Sequence, residues 1–154
     1  VDIQIREATI DELPALLELN QKIFVKNPQF DRDLILDFSL TPEGIEYFKK
    51  EFKREDGCFL FAEQNGKLIG YVNGGSKKFA HRKSKYFEID NLGVIPEEKG
   101  KGIGKLLLDK ILEWAKRKDY QKIYLNCYAK NSEALSFYKK SGFNEIDIGL
   151  EKTL

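Results

Sequence analysis

The chain has 154 residues, 42% of them hydrophobic, which is the size of one domain (residues 1–154) with a core of its own. Lysine and arginine total 26 against 25 aspartate and glutamate, so the overall balance gives no bias toward nucleic acid or an anionic membrane. No apolar run is long enough to cross a bilayer and Val1-Asp2-Ile3-Gln4 shows no signal-peptide pattern, so the expectation is a soluble, cytoplasmic protein.

Residues 2 to 8 alternate as a first strand should, with Ile3 and Ile5 on one beat and Gln4 and Arg6 on the other. Thr9-Ile-Asp-Glu12 is a capping-box signal, and Leu13, Leu16, Leu17, Ile23 and Phe24 supply the apolar stripe of a first helix, stopped by Asn27-Pro28. Residues 29 to 40 read equally as a short helix or a substrate-side loop. Thr41-Pro42-Glu43 then opens a second helix, with threonine as N-cap and proline at the first helical position, running to about Phe52.

Asp56-Gly57 breaks that helix, and Cys58 to Ala62 begins a strand. Asn65-Gly66 is the favoured two-residue hairpin turn, returning Lys67 to Val72 antiparallel. The connection 76–85 carries Lys77, Lys78, Arg82, Lys83 and Lys85, and reads as a solvated hairpin end in preference to a docking surface for an acidic partner. Tyr86 to Val94 alternates as a further strand. After it, Ile103, Leu106, Leu107, Ile111, Leu112 and Ala115 recur at helical spacing up to about Lys118, where Lys116-Arg117-Lys118 suits the negative end of the dipole. Gln121 to Tyr128 reads as a strand parallel to the one at 86–94, Asn131 caps a short helix through Lys140, and Phe143 to Leu150 closes the sheet.

Cys58 and Cys127 fall in apolar strand-like runs, where a reduced thiol behaves as a small hydrophobe. The single histidine, His81, has no spaced partner for a metal or a hydrolase triad and reads as a loop residue. The expectation is therefore no disulfide and no metal.

The chemistry concentrates where the strand 86–94 meets the following helix, at Lys99-Gly100-Lys101-Gly102-Ile103-Gly104-Lys105. Glycine lacks a Cβ, so the backbone there is free to take positive φ and to approach a ligand closely with its N–H groups outward. The helix start adds unpaired N–H donors and the positive end of its dipole, and three lysines add full charges, which suits a phosphate or pyrophosphate. The spacing does not match a Walker A loop, because Lys99 stands where its first glycine belongs and Leu106 replaces the hydroxyl residue. A dinucleotide fingerprint fails because Lys105 occupies its third glycine.

The segment Lys99-Gly-Lys-Gly102-Ile-Gly104, preceded by Val94-Ile-Pro96, resembles the acyl-CoA loop Gln/Arg-x-x-Gly-x-Gly/Ala of the GNAT superfamily of acetyl-CoA-dependent N-acetyltransferases, with Lys99 where Arg or Gln is usual. Asn131-Ser-Glu-Ala134-Leu-Ser-Phe137-Tyr138-Lys-Lys-Ser-Gly142-Phe143 resembles the family segment Asn-x-x-Ala-x-x-Phe-Tyr-x-x-x-Gly-Phe at every diagnostic position. Asn131, Ala134 and Tyr138 share one helix face.

The resemblance covers residues 58 to 143 and implies an α/β GNAT fold, a mixed central sheet with helices on both faces and two splayed central strands. It implies acetyl-CoA as cosubstrate and a primary amine as acceptor: a polyamine or other small amine, a protein N-terminus or a lysine side chain. Backbone amides of Gly100, Lys101, Gly102, Ile103, Gly104 and Lys105, beside Lys99, would take the pyrophosphate. Main-chain groups of Leu92, Gly93 and Val94 would pair with the pantetheine arm like an added strand. The Leu92 N–H would hold the acetyl oxygen, and Asn131 and Ala134 would lie against the pantetheine.

Within that resemblance, Glu88 or Asp90, two apart on one strand face, is the general base, directly or through a water, with Glu88 preferred. Tyr138 is the acid that protonates the departing sulfur, a phenol matched to a thiolate of comparable basicity. Transfer is direct and needs no cysteine nucleophile. Residues 25 to 55 and 76 to 85 should border the acceptor. The alternative is a binding module that senses acyl-CoA without turnover, and a homodimer is left open.

Overall fold

The computed structural model describes residues 2–154. Its first strand, β1 (Ile3–Glu7), ends at Thr9, where the expected capping box forms: the Thr9 N–H donates to Glu12 Oε1 at 3.0 Å. The box opens a 3-10 turn, Ile10–Glu12, before α1 (Leu13–Ile23) begins. Residues 27–29 and 38–40 are single 3-10 turns, so the ambiguous stretch is a folded loop. In α2 (Pro42–Lys53) the Thr41 hydroxyl accepts from the Gly44 N–H at 3.1 Å, with Pro42 at the first helical position as the sequence predicts.

Strands β2 (Gly57–Gln64) and β3 (Lys67–Lys77) are joined by Asn65 and Gly66, both at positive φ as the turn requires. They are followed by β4 (Tyr86–Val94), α3 (Ile103–Arg117), β5 (Lys122–Tyr124) and α4 (Ser132–Lys140). The sheet order is β1-β2-β3-β4-β5, antiparallel except for the parallel pair β4 and β5.

Helix α3 packs on one face of β2, β3 and β4, while α1 and α2 cover the other. On the α3 side, buried Leu107, Leu108, Ile111 and Ala115 pack with Phe87, whose ring meets those of Trp114 and Tyr120. On the opposite side, Tyr71 is ringed by Phe24, Phe48 and Phe59. Each large aliphatic side chain so buried contributes about 2 kcal/mol. These two half-cores hold β4 rigid between the helices.

Two expectations need correction. The strand drawn from Gln121 to Tyr128 pairs with β4 only at Lys122–Tyr124, opposite Tyr86, Phe87 and Glu88. Beyond that point β4 carries a bulge: Asn73 faces Asn91 and Gly74 faces Ile89, leaving Asp90 without a partner. A bulge bends and twists its strand, which takes β4 away from the segment after Tyr124.

The second correction is the final strand. Phe143 to Leu150 pairs with no strand among the described residues, and Ile146, Ile148 and Leu150 are 57%, 80% and 93% exposed. Their alternation is strand-like, but a strand exists only against a ladder partner, and the three residues of β5 offer little edge. Ion pairs Arg82–Asp147 and Lys139–Glu145 fasten this tail instead.

Candidate active site

The parting of β4 from the segment after β5 opens a cavity of about 410 Å³. Ile89, Asp90, Asn91 and Leu92 form one wall, and Leu125, Asn126, Cys127 and Tyr128 the other. Asn131, Ala134 and Tyr138 of the following segment complete it, with Phe24 and Asn27 at the α1 end. The parallel pairing stops at Glu88, so the β4 edge from Ile89 onward faces this opening with no strand against it. Such an edge can take an extended ligand arm by main-chain hydrogen bonds.

Gly93 and Val94 continue that edge but do not line the cavity: Val94 is buried, and Gly93 packs under α1. A Cβ on Gly93 would lie 2.2 Å from Ile23 Cγ2. Only glycine lets α1 approach the strand so closely.

At the start of α3, Gly100 and Gly102 take φ of 80° and 82°, with open space where a Cβ would be. The first N–H of this stretch to find a backbone acceptor is that of Leu106, on Gly102 O at 3.1 Å. Those of Gly100, Lys101, Gly102, Ile103, Gly104 and Lys105 have no backbone acceptor among the described residues. The turn therefore presents a row of free donors at the positive end of a helix, as an anion site needs. Lys99, Lys101 and Lys105 are exposed around it; Lys101 is paired with Glu98 at 2.9 Å and Lys105 with Asp109 at 2.7 Å.

In α4, Asn131 Oδ1 accepts from the Ala134 N–H at 3.1 Å, so this oxygen is committed to capping and its amide nitrogen remains as a donor. Phe137 turns toward the core and Tyr138 toward the cavity. Burial, followed by the neighbouring Cys127, raises the Tyr138 phenol above its ordinary value, so it stays protonated and able to give a proton.

Of the two carboxylates, Asp90 lines the cavity and Glu88 stands beside it just outside the lining. Glu88 is raised above the ordinary carboxylate range, first by burial and then by the charge of Asp90. Cys127 also lines the cavity, its thiol raised by burial, whereas Cys58 is buried elsewhere and pushed up to about 12 by its burial.

Several residues at the site carry no sequence signal of their own. Tyr47 donates to Asp90 Oδ2 at 2.9 Å from α2, and Asn73 sits fully buried in β3. The one legible hint was an asparagine on an apolar beat of each strand, Asn73 and Asn91, which a core tolerates only when hydrogen-bonded. The connection 25–40 reaches the site: Phe30 stacks on Tyr128 with ring centres 6.0 Å apart. Residues of the 76–85 connection do not line this cavity; His81, Arg82, Lys83 and Ser84 border a separate surface depression with Tyr86 and Lys122. No helix among the described residues is long and apolar enough to cross a membrane.

Comparison with known proteins extends these observations. The pattern of the Acetyltransferase (GNAT) family matches residues 14–143. The chain is 32% identical over 145 residues to an uncharacterized N-acetyltransferase of Methanocaldococcus jannaschii, covering 94% of this chain but 62% of that protein. Among solved structures, a mutant of the BH1408 protein from Bacillus halodurans superimposes with a TM-score of 0.83 at 21% identity, over 98% of this chain and 99% of that one. The aminoglycoside N-acetyltransferase AAC(6')-Iy in complex with CoA gives 0.78 at 14% identity, over 99% and 95%.

Proposed function

Because this chain belongs to the GNAT acetyltransferase family, we propose that it transfers the acetyl group of acetyl-CoA to a primary amine by direct attack. The observation that carries this reading is the cavity between the parted strands. It puts Asp90 and Tyr138 on one lining, at the unpaired edge of the strand that leads into the glycine turn.

The residues present fit acetyl-CoA. The free amides from Gly100 to Lys105 suit its pyrophosphate, the open edge from Leu92 to Val94 suits the amides of its pantetheine arm, and the Asn131 amide nitrogen is a further donor beside it. The thioester would then lie between Leu92 and Tyr138. The Leu92 N–H faces the charge that develops on the acetyl oxygen, where a fixed backbone donor is most effective.

An acceptor amine arrives as an ammonium and must lose a proton before its lone pair attacks. The Glu88–Asp90 pair receives that proton, Asp90 being the member at the cavity wall. As the N–C bond forms and the C–S bond breaks, the Tyr138 phenol supplies the proton for the sulfur, and the second proton that the nitrogen sheds on becoming an amide restores the phenol. Asp90 at the wall, with Glu88 beside it, gives the acceptor end a negative field that draws a cationic amine.

The test is thiol release from acetyl-CoA across a panel of small amines, polyamines and peptides. Wild-type protein should turn over at least one class, and Tyr138→Phe should lower kcat about 100-fold while the acetyl-CoA dissociation constant stays within about two-fold. Tight acetyl-CoA binding with no amine-dependent release in any class would make the protein a binding module.

A further inference from the structure

Asp90 is exposed and sits unpaired at a bulge, so nothing in β4 itself holds its carboxylate at the cavity. A polar chain running back into the core does. Fully buried Asn73 donates through Nδ2 to Glu51 Oε1 at 2.9 Å and accepts at Oδ1 from Asn91 Nδ2, also at 2.9 Å. Asn91 Nδ2 further donates to the Tyr47 oxygen at 3.1 Å, which leaves the Tyr47 hydroxyl proton for Asp90 Oδ2 at 2.9 Å. Glu51 is in turn paired with Arg54 at 3.4 Å. Every member has a partner, and such a completed buried network is stiff.

Burial raises the Tyr47 phenol well above its ordinary range, so it remains a donor throughout the working pH range. Its ring is packed against Phe48, with centres 4.8 Å apart, which fixes the hydroxyl in place.

We propose that Tyr47 is the positioning residue for proton transfer: anchored by Asn91 and Asn73, it holds the Asp90 carboxylate at the cavity wall to receive the acceptor's proton. This rests on the transfer reading above. In the step, one N–H bond of the acceptor ammonium breaks, its electron pair stays on nitrogen, and the proton passes to a carboxylate oxygen of Asp90. The charged and titratable groups facing Asp90 are Glu88 on its own strand, Tyr47 and Glu51 on α2, Arg54 just after α2 and the buried Tyr71 on β3, with Lys77 of β3 acting on Glu88.

The experiment is a double-mutant cycle of Tyr47→Phe and Asp90→Asn, read as kcat and as KM for acetyl-CoA. Phenylalanine keeps the packed ring and leaves Asn73 and Asn91 bonded to each other. Tyr47→Phe should lower kcat roughly ten-fold and leave KM for acetyl-CoA unchanged, because the carboxylate is no longer held at the cavity wall while the cosubstrate site is untouched. In the Asp90→Asn background the same change should have less than about a two-fold further effect, since the group it positions is gone.

Wild-type kinetics in Tyr47→Phe, full activity in Asp90→Asn, or losses that multiply in the double variant would each overturn the proposal. Absence of amine-dependent thiol release from the wild-type protein would overturn the transfer reading itself, which separates the two failures.

Discussion

At Gly93 a methyl group decides how closely helix and strand pack. A Cβ there would meet Ile23 Cγ2 at 2.2 Å, a contact that a branched side chain fixed near its own backbone relieves only by moving the helix. Gly93→Ala should therefore destabilise the fold by about 2 kcal/mol, as overpacking of a filled core does. Denaturant unfolding measures this, and Ile23→Ala in the same chain should recover part of the loss by removing the opposing methyl; losses that simply add would show the strain lies elsewhere. The glycine was legible in the sequence as part of the strand leading to the loop, but its reason was not, because Ile23 lies in a helix some seventy positions earlier.

At the scale of elements, the glycine turn and α4 were legible because their chemistry restricts residue types at fixed spacing: glycine for positive φ, asparagine for the cap, tyrosine at the cavity. Gly102 is the N-cap of α3 at a φ of 82° with open space around it, so Gly102→Ala meets no clash and costs about 1–2 kcal/mol from the left-handed backbone alone. The turn would relax toward negative φ, its row of free amides would lose alignment, and acetyl-CoA affinity should fall about ten-fold by calorimetric titration, with Tm lowered by about 3–6 °C. An unaltered affinity would mean these amides do not hold the pyrophosphate. The bulge at Asp90, the early end of β5 and the unpaired tail were not legible. Each depends on which strand lies alongside: the alternation of Tyr86 to Val94 looks the same with or without an extra residue, and that of Ile146, Ile148 and Leu150 encodes strand competence but not a partner.

Across the whole molecule, the groups that serve the site and those that serve stability respond to acid in opposite directions. Glu88 and Glu51 are raised by burial, so charging them costs folding energy, and that cost disappears as pH falls through their folded-state values. Glu12 is the reverse. The Arg6 guanidinium donates two bonds to it, at 2.8 and 2.7 Å, and reaches Glu63 at 3.2 Å, tying β1, β2 and the entrance to α1 together. These bonds hold Glu12 down to about 2. Its contribution is fully present above the unfolded value of about 4.3 and is lost as pH falls from there toward the folded value. The pair is partly solvated, so roughly 1 kcal/mol survives screening, equivalent to about 3 °C in Tm for a chain of this size. Glu12→Gln keeps a side-chain oxygen for the Thr9 N–H and so preserves the cap while removing the charge. The variant should melt about 3 °C below wild type at pH 7, with the gap closing as pH approaches 2. A gap that stayed constant across that range would assign the loss to the cap geometry and not to the Arg6 ion pair.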